Sequence, residues 1–222
     1  MPNPQIRRRF ANTARAKARV QQRADGGGQM IVGYGAVFYD AADARTEYKL
    51  WDDWVERIMP GCFDEAIAED DVRGMYDHEH LLARNTSGTM RLSVDQVGLV
   101  YEIDVPDTSV GRDVVTMLER GDLDGSSFAF SVHGVRGETT RREETVDGKT
   151  ILITEIRKCQ LYDVGPVVFP AYLATTAGVR SADDAELRAE YDQWKLAHEV
   201  LADDFLELID TAIAEAELKV RA

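Results

Sequence analysis

The hydrophobic residues of this chain fall into two regimes. Short β-rich runs punctuated by turn residues fill the middle, and one helical stripe lies near the end. Gln29–Phe38 (QMIVGYGAVF) reads as a strand, and the glycines at 26–28 before it mark a turn. Thr13–Val20 reads as its hairpin partner. Met59-Pro60-Gly61 breaks the chain ahead of a short helix from Phe63 to about Ala68. Thr89–Val94 and Leu99–Val105 form two strands around a turn at Gly98. Thr108 or Ser109 then caps a helix with Val110, Val114, Met117 and Leu118 on one face, and Gly121 stops it. Phe128–Val135, Ile151–Ile156 and Gln160–Val168 read as further strands, the last ended by Pro170, with a highly charged hairpin tip over Gly137–Gly148. These elements predict an α+β, mainly β fold: a small antiparallel barrel or sandwich flanked by a few helices.

Beyond Arg180 the pattern changes. Leu187, Tyr191, Trp194, His198, Leu201, Phe205, Leu208 and Ala212 recur at alternating spacings of four and three, a heptad stripe on an acidic helix. Such a stripe either packs back on the core or pairs with another helix. The unbroken alternation and the linker near Ser181–Asp184 favour pairing, as a homo-oligomer or with a partner helix. His198 reads as a tolerated polar position of that seam rather than a ligand. The expected organisation is a basic arm over residues 1–25, a globular domain over 26–180 and the acidic helix over 181–222.

Composition bounds the function. The chain has 222 residues, 44% hydrophobic and 30% charged, which suits one medium domain with extensions. No apolar run is long enough to cross a bilayer, and the start (MPNPQIRRRF) lacks the apolar core of a signal peptide. Cys62 and Cys159 are the only cysteines, read as buried free thiols in a reducing compartment. Net charge is −14, yet residues 1–24 hold seven bases and no acid. The acidic total argues against a general nucleic-acid binder, because phosphate contacts need a basic surface. The basic arm reads as a solvated, frayed terminus or as a contact for nucleic acid or an acidic protein.

Two segments carry candidate chemistry. Tyr76-Asp77-His78-Glu79-His80 sets histidines in a polar loop ahead of a run of strands. Gly121–Ser131 (GDLDGSSFAFS) sets serines where a helix has ended and an apolar strand begins. A serine and a histidine at element boundaries are the raw material of a nucleophile and its base. Spacing alone leaves Ser126 or Ser127 as that nucleophile, or both as turn caps. Asp77-His78-Glu79-His80 also packs four metal-ligand types together, which suits a metal-dependent hydrolase. An H-x-H site of that kind would need a Ser and an Asp at fixed spacing downstream. Met90 stands ten residues after His80, the first Asp is Asp95, and there is no H-E-x-x-H.

In order along the chain, GYGAVF, MPGCFDEAI, DHEH, GLVYEIDVPDT, GDLDGSSFAF and LYDVGPVVFPAY resemble the signatures of the tailed-phage prohead maturation proteases. That family is related in fold to the herpesvirus assemblin serine proteases. The resemblance runs from about Ile31 to Ala174. It implies an assemblin-like barrel without the G-x-S-x-G elbow, acting as a serine endopeptidase without a cofactor or metal. Its implied substrates are the major capsid protein or a scaffold protein, and itself, inside the immature prohead in the host bacterial cytoplasm. The family's serine before Phe falls on Ser127 and its histidine beside an acid on His78. The carboxylate ahead of the V-x-x-P-A-Y element falls on Asp163. The herpesvirus relatives use a second histidine at that third position, for which His80 and His133 are the spares here. The Gly165 region is the expected source of oxyanion donors. A non-catalytic capsid-assembly or scaffolding module and the Asp77–His80 metal hydrolase are the competing readings.

Overall fold

In chain order the elements are β1 (Arg7–Ala11), β2 (Arg19–Gln22), β3 (Gln29–Val37), β4 (Glu47–Trp51), β5 (Trp54–Ile58), α1 (Asp64–Glu69), β6 (Arg73–Tyr76), β7 (His80–Arg84), β8 (Met90–Val94), β9 (Gly98–Asp104), α2 (Ser109–Arg120), β10 (Gly125–Ser131), β11 (Glu138–Val146), β12 (Lys149–Lys158) and β13 (Gln160–Val167). The computed structural model describes residues 6–11, 17–134, 136–168 and 187–197, the last stretch being helical. The chain divides into two compact units, Met1–Val179 and Arg180–Ala222.

The strands of the first unit form three sheets, in the orders β1-β10-β13-β6-β7, β11-β12-β5-β4 and β2-β3-β9-β8. The fold is mainly β with few helices, as the sequence predicts. Among the described residues no ladder closes a sheet into a ring, so the expected barrel is not formed by continuous pairing. Two pairings, β5 with β12 and β6 with β13, are parallel rather than antiparallel. Parallel neighbours need long crossover connections, and local turn chemistry does not reveal those. The helix beginning at Ser109 forms for the reasons its sequence gives. Thr108 Oγ1 accepts the Gly111 N–H at 3.1 Å, and Gly121 ends the helix in the left-handed region at φ 78°. Val114 is fully buried, with Val110, Met117 and Leu118 packed partly against the core.

The core is aromatic at its centre. Phe63 meets Phe128 edge-on at 5.8 Å, and Phe128 stacks on Phe130 at 4.8 Å. Cys62 and Cys159 are buried and free, with Cys62 donating to Cys159 across 3.6 Å. That hydrogen bond and burial push the Cys159 thiol well up, so it stays protonated. No helix among the described residues is long and apolar enough to cross a membrane.

Four readings change. β10 begins at Gly125, not Phe128, so both serines lie inside a strand whose seven residues are all buried. Gly137–Gly148 is not merely a tip, because Glu138–Val146 runs the length of β12 as its antiparallel neighbour. The β4–β5 and β6–β7 hairpins are absent from the sequence reading. The pairing of β2 with β3 covers Arg19–Gln22, while residues 13–16 of its expected span lie outside the described residues. Leu187 and Tyr191 are buried on one face of the 187–197 helix, and Tyr191 stacks on Trp194 at 6.1 Å. His198, Leu201, Phe205, Leu208 and Ala212 lie outside the described residues.

The basic arm departs furthest from expectation. Arg7–Ala11 is an edge strand paired with β10. Arg7 and Arg9 are buried on one face and bind Glu56 of β5 at 3.0 and 2.6 Å, where Glu56 is 0% exposed. Arg8, between them, points outward. A run of arginines in a strand divides between two faces, so two of these three reach a buried acid instead of water. Burial alone would raise the Glu56 carboxyl, but the charges of Arg9 and Arg7 overcome it and hold its pKa below the ordinary value. A depressed folded pKa stabilises the fold above the unfolded value of roughly 4.3, and that stabilisation fades as pH falls through the lower folded value. In urea unfolding the native chain should therefore be more stable than Glu56→Gln at pH 7. That advantage should shrink below about pH 4.

Candidate active site

Ser127 is held from both sides. In the sheet it sits opposite Phe10 of β1 and Gly165 of β13. The period-two alternation of β10 decides between the adjacent serines. Ser126 faces the core, where its Oγ and the Tyr101 hydroxyl lie 2.8 Å apart. Burial pushes the Tyr101 phenol far up, so that pair stays neutral. Ser127 faces the opposite way, with Gly165 and Asp163 beside it on the neighbouring strand.

His78 arrives on a strained turn. Asp77 and His78 both have positive φ, 55° and 59°, and the Glu79 N–H closes the turn onto the Tyr76 carbonyl at 3.1 Å. Two consecutive left-handed residues under such a bond are the pattern of a type I′ turn, which normally selects Gly, Asn or Asp. Asp77 is a tolerated choice and histidine a less usual one. The Asp77 N–H bonds the Pro166 carbonyl at 2.9 Å, tying the turn to the end of β13. Asp163 follows a register shift in the β10–β13 ladder, where Ala129 pairs with Asp163 but Phe130 with Leu161. A bulge of this kind re-aims the side chain next to it.

The three side chains form one chain of hydrogen bonds. His78 Nδ1 lies 2.6 Å from Asp163 Oδ1, and His78 Nε2 lies 2.6 Å from Ser127 Oγ. A carboxylate facing Nδ1 requires the proton there, which leaves Nε2 with its lone pair toward the hydroxyl. The His78 and Asp163 side chains are 8% and 15% exposed, and Ser127 is 0% exposed. In such a shielded site a hydroxyl, a base and an orienting carboxylate are arranged for proton transfer and nucleophilic attack on a carbonyl.

The spare histidines sit elsewhere. His80 is exposed and stacks on Tyr76 at 5.9 Å. His133 Nε2 lies 3.4 Å from Arg7 Nη2. His78 turns into the site while His80 faces solvent, so the Asp77–His80 segment does not converge. Among the described residues no group of three or more His, Cys, Asp or Glu is arranged to hold a metal. Pro170 and Tyr172 lie outside the described residues.

The family model of the caudovirus prohead serine protease matches residues 16–189, well over half of the chain. The chain belongs to this family. Membership gives it a protease role in phage capsid maturation. No curated protein and no solved structure matches it significantly. His78, Ser127 and Asp163 all lie inside the matched stretch, whereas β1 lies ahead of it.

Sequence reasoning missed what supports these residues. Gly165 admits the Met75 carbonyl oxygen so closely that any Cβ there would collide with it. The flanking Val-Gly-Pro gives no sign that another strand lies across it. Gly165→Ala should therefore destabilise the fold by about 2–4 kcal/mol, through overpacking that cannot relax into a side chain. It should also cut peptidase activity in the molecules that remain folded. Thermal unfolding and a peptidase assay on the soluble fraction check both effects.

Proposed function

We propose that this protein is a serine endopeptidase in which Ser127 is the nucleophile, His78 the base and Asp163 the group that orients and stabilises the imidazole. Its proposed substrates are capsid or scaffold proteins, and its own chain, inside the immature prohead in the host cytoplasm. The observation that carries this reading is the continuous Asp163–His78–Ser127 hydrogen-bond chain, with both contacts at 2.6 Å. As Ser127 Oγ bonds to the scissile carbonyl carbon, its proton passes to His78 Nε2 and the carbonyl oxygen takes up negative charge. Asp163 stabilises the imidazolium without taking its proton. The imidazolium then protonates the leaving amine as the peptide bond breaks. Water, deprotonated by the same histidine, releases the acyl group and restores the serine. The backbone around Gly165, opposite Ser127 in the ladder, is the proposed source of oxyanion donors.

The domain reading follows the same line: residues 26–180 carry the chemistry, and the acidic helix over 181–222 pairs with another helix. Light scattering on the full chain and on one ending at Arg180 tests the pairing. Equal monomeric masses would remove self-association.

Ser127→Ala should lower cleavage of a co-expressed capsid or scaffold protein by about 10⁶-fold with the fold intact, and His78→Ala by a similar factor. Asp163→Asn should cost less, about 10⁴-fold, because it disturbs the tautomer but leaves nucleophile and base present. Ser126→Ala should retain cleavage, and EDTA should not change it. Full activity in Ser127→Ala would refute the assignment. A folded native chain that never reacts with a fluorophosphonate, even with its N-terminal strand displaced, would favour the non-catalytic assembly module.

A further inference from the structure

Ser127 is ready for proton transfer but fully buried, and one of the elements covering it is the chain's own β1. Arg9 contributes its carbonyl oxygen, 3.0 Å from Ser127 Oγ, and Phe10 is the residue paired with Ser127. A hydroxyl has one proton, and here it has two acceptors, His78 Nε2 and the Arg9 carbonyl. β1 therefore competes with the base for the proton that attack requires, and it lies where an extended peptide would meet the nucleophile. Among the described residues it is a terminal strand of its sheet, paired on one side, and it precedes the stretch that the family model matches.

Building on the serine-peptidase reading, we propose that β1 is an intramolecular occupant of the substrate cleft. It holds the enzyme closed through Arg7 and Arg9 on Glu56, and the edge of β10 that it covers accepts an extended peptide carrying basic residues two positions apart. Strand addition supplies main-chain bonds to β10, while alternate side chains set the specificity. Arg7 and Arg9, partners of Phe130 and Phe128, project to the face where Glu56 lies. With β1 gone, Glu56 has lost the two guanidinium groups that neutralise it, so an incoming strand that supplies a cation at the same place is favoured. The latch is also releasable. A buried ion triad adds little net stability to the docked strand, because the hydration its charges regain when β1 leaves offsets most of their attraction.

The test measures the rate at which a fluorophosphonate labels Ser127 in the full-length chain. If docked β1 masks the serine, the rate scales with the undocked fraction. Arg7→Ala/Arg9→Ala should then label at least about tenfold faster than the native chain. The hexapeptide Ile-Arg-Arg-Arg-Phe-Ala should slow that variant again, and the same peptide with its first and third arginines replaced by alanine should not. Should the double variant fail to fold, Arg8→Cys/Ala129→Cys, at facing positions of β1 and β10, decides alone. Its oxidised form should label more slowly than its reduced form, with the native chain under the same oxidant as control. Equal rates in the native, double-alanine and both stapled forms, with labelling present in all, overturn the occlusion and leave the peptidase reading standing. Equal slowing by the two peptides overturns the role of Glu56 in selecting basic residues. Folded protein that labels in no form overturns the nucleophile assignment and the occlusion with it.

Discussion

At Gly165 the Met75 carbonyl oxygen comes so near that no side chain fits between the strands, and the site's geometry depends on that close approach. It lets β6 run parallel to β13 at Asp163 and Val164. The β6–β7 turn then lies beside β13, where the Asp77 N–H meets the Pro166 carbonyl. A histidine one residue further along the turn falls between the carboxylate of β13 and the hydroxyl of β10. The three functional groups come from three separate strands or turns of one sheet, so their alignment is a property of sheet packing rather than of any local motif.

The turn itself stores strain. Two non-glycine residues in the left-handed region cost on the order of 1–3 kcal/mol each and persist only when their surroundings over-determine them. Here the restraints are the Glu79 to Tyr76 turn bond, the tie to Pro166, the Tyr76–His80 ring stack and the two short bonds of the imidazole. A histidine fixed from both ring nitrogens loses little further freedom on entering a transition state, which is how a strained turn would serve the proposed catalysis.

The charged triad on the other face of β10 works differently. Arg7 and Arg9 both pair with Glu56 in a dry environment, with the Arg9 guanidinium also 5.9 Å from the Phe130 ring centre. Such groups specify a partner more than they stabilise a fold, since well-packed apolar residues would often hold the strand as firmly. They give β1 a register, and that register puts the Arg9 carbonyl against the Ser127 hydroxyl.

Sequence by itself determined the elements whose signals are local. The helix between Thr108 and Gly121 was legible from its caps and apolar face, and the β3 and β8–β9 runs from turn residues and β-rich composition. The ordered motifs were enough to identify the family and to single out His78, Ser127 and Asp163. What it left open needed contacts between distant segments. Spacing alone did not separate Ser126 from Ser127 until the strand was seen to begin at Gly125, because alternation assigns faces only once the register is known. The β5 strand was hidden by Glu56, which reads as a solvent-facing charge and is buried only because two arginines nearly fifty residues earlier neutralise it. Those arginines looked like a frayed tail for the same reason. A charge advertises exposure in a sequence, and only the tertiary structure can supply the opposite charge that makes its burial tolerable.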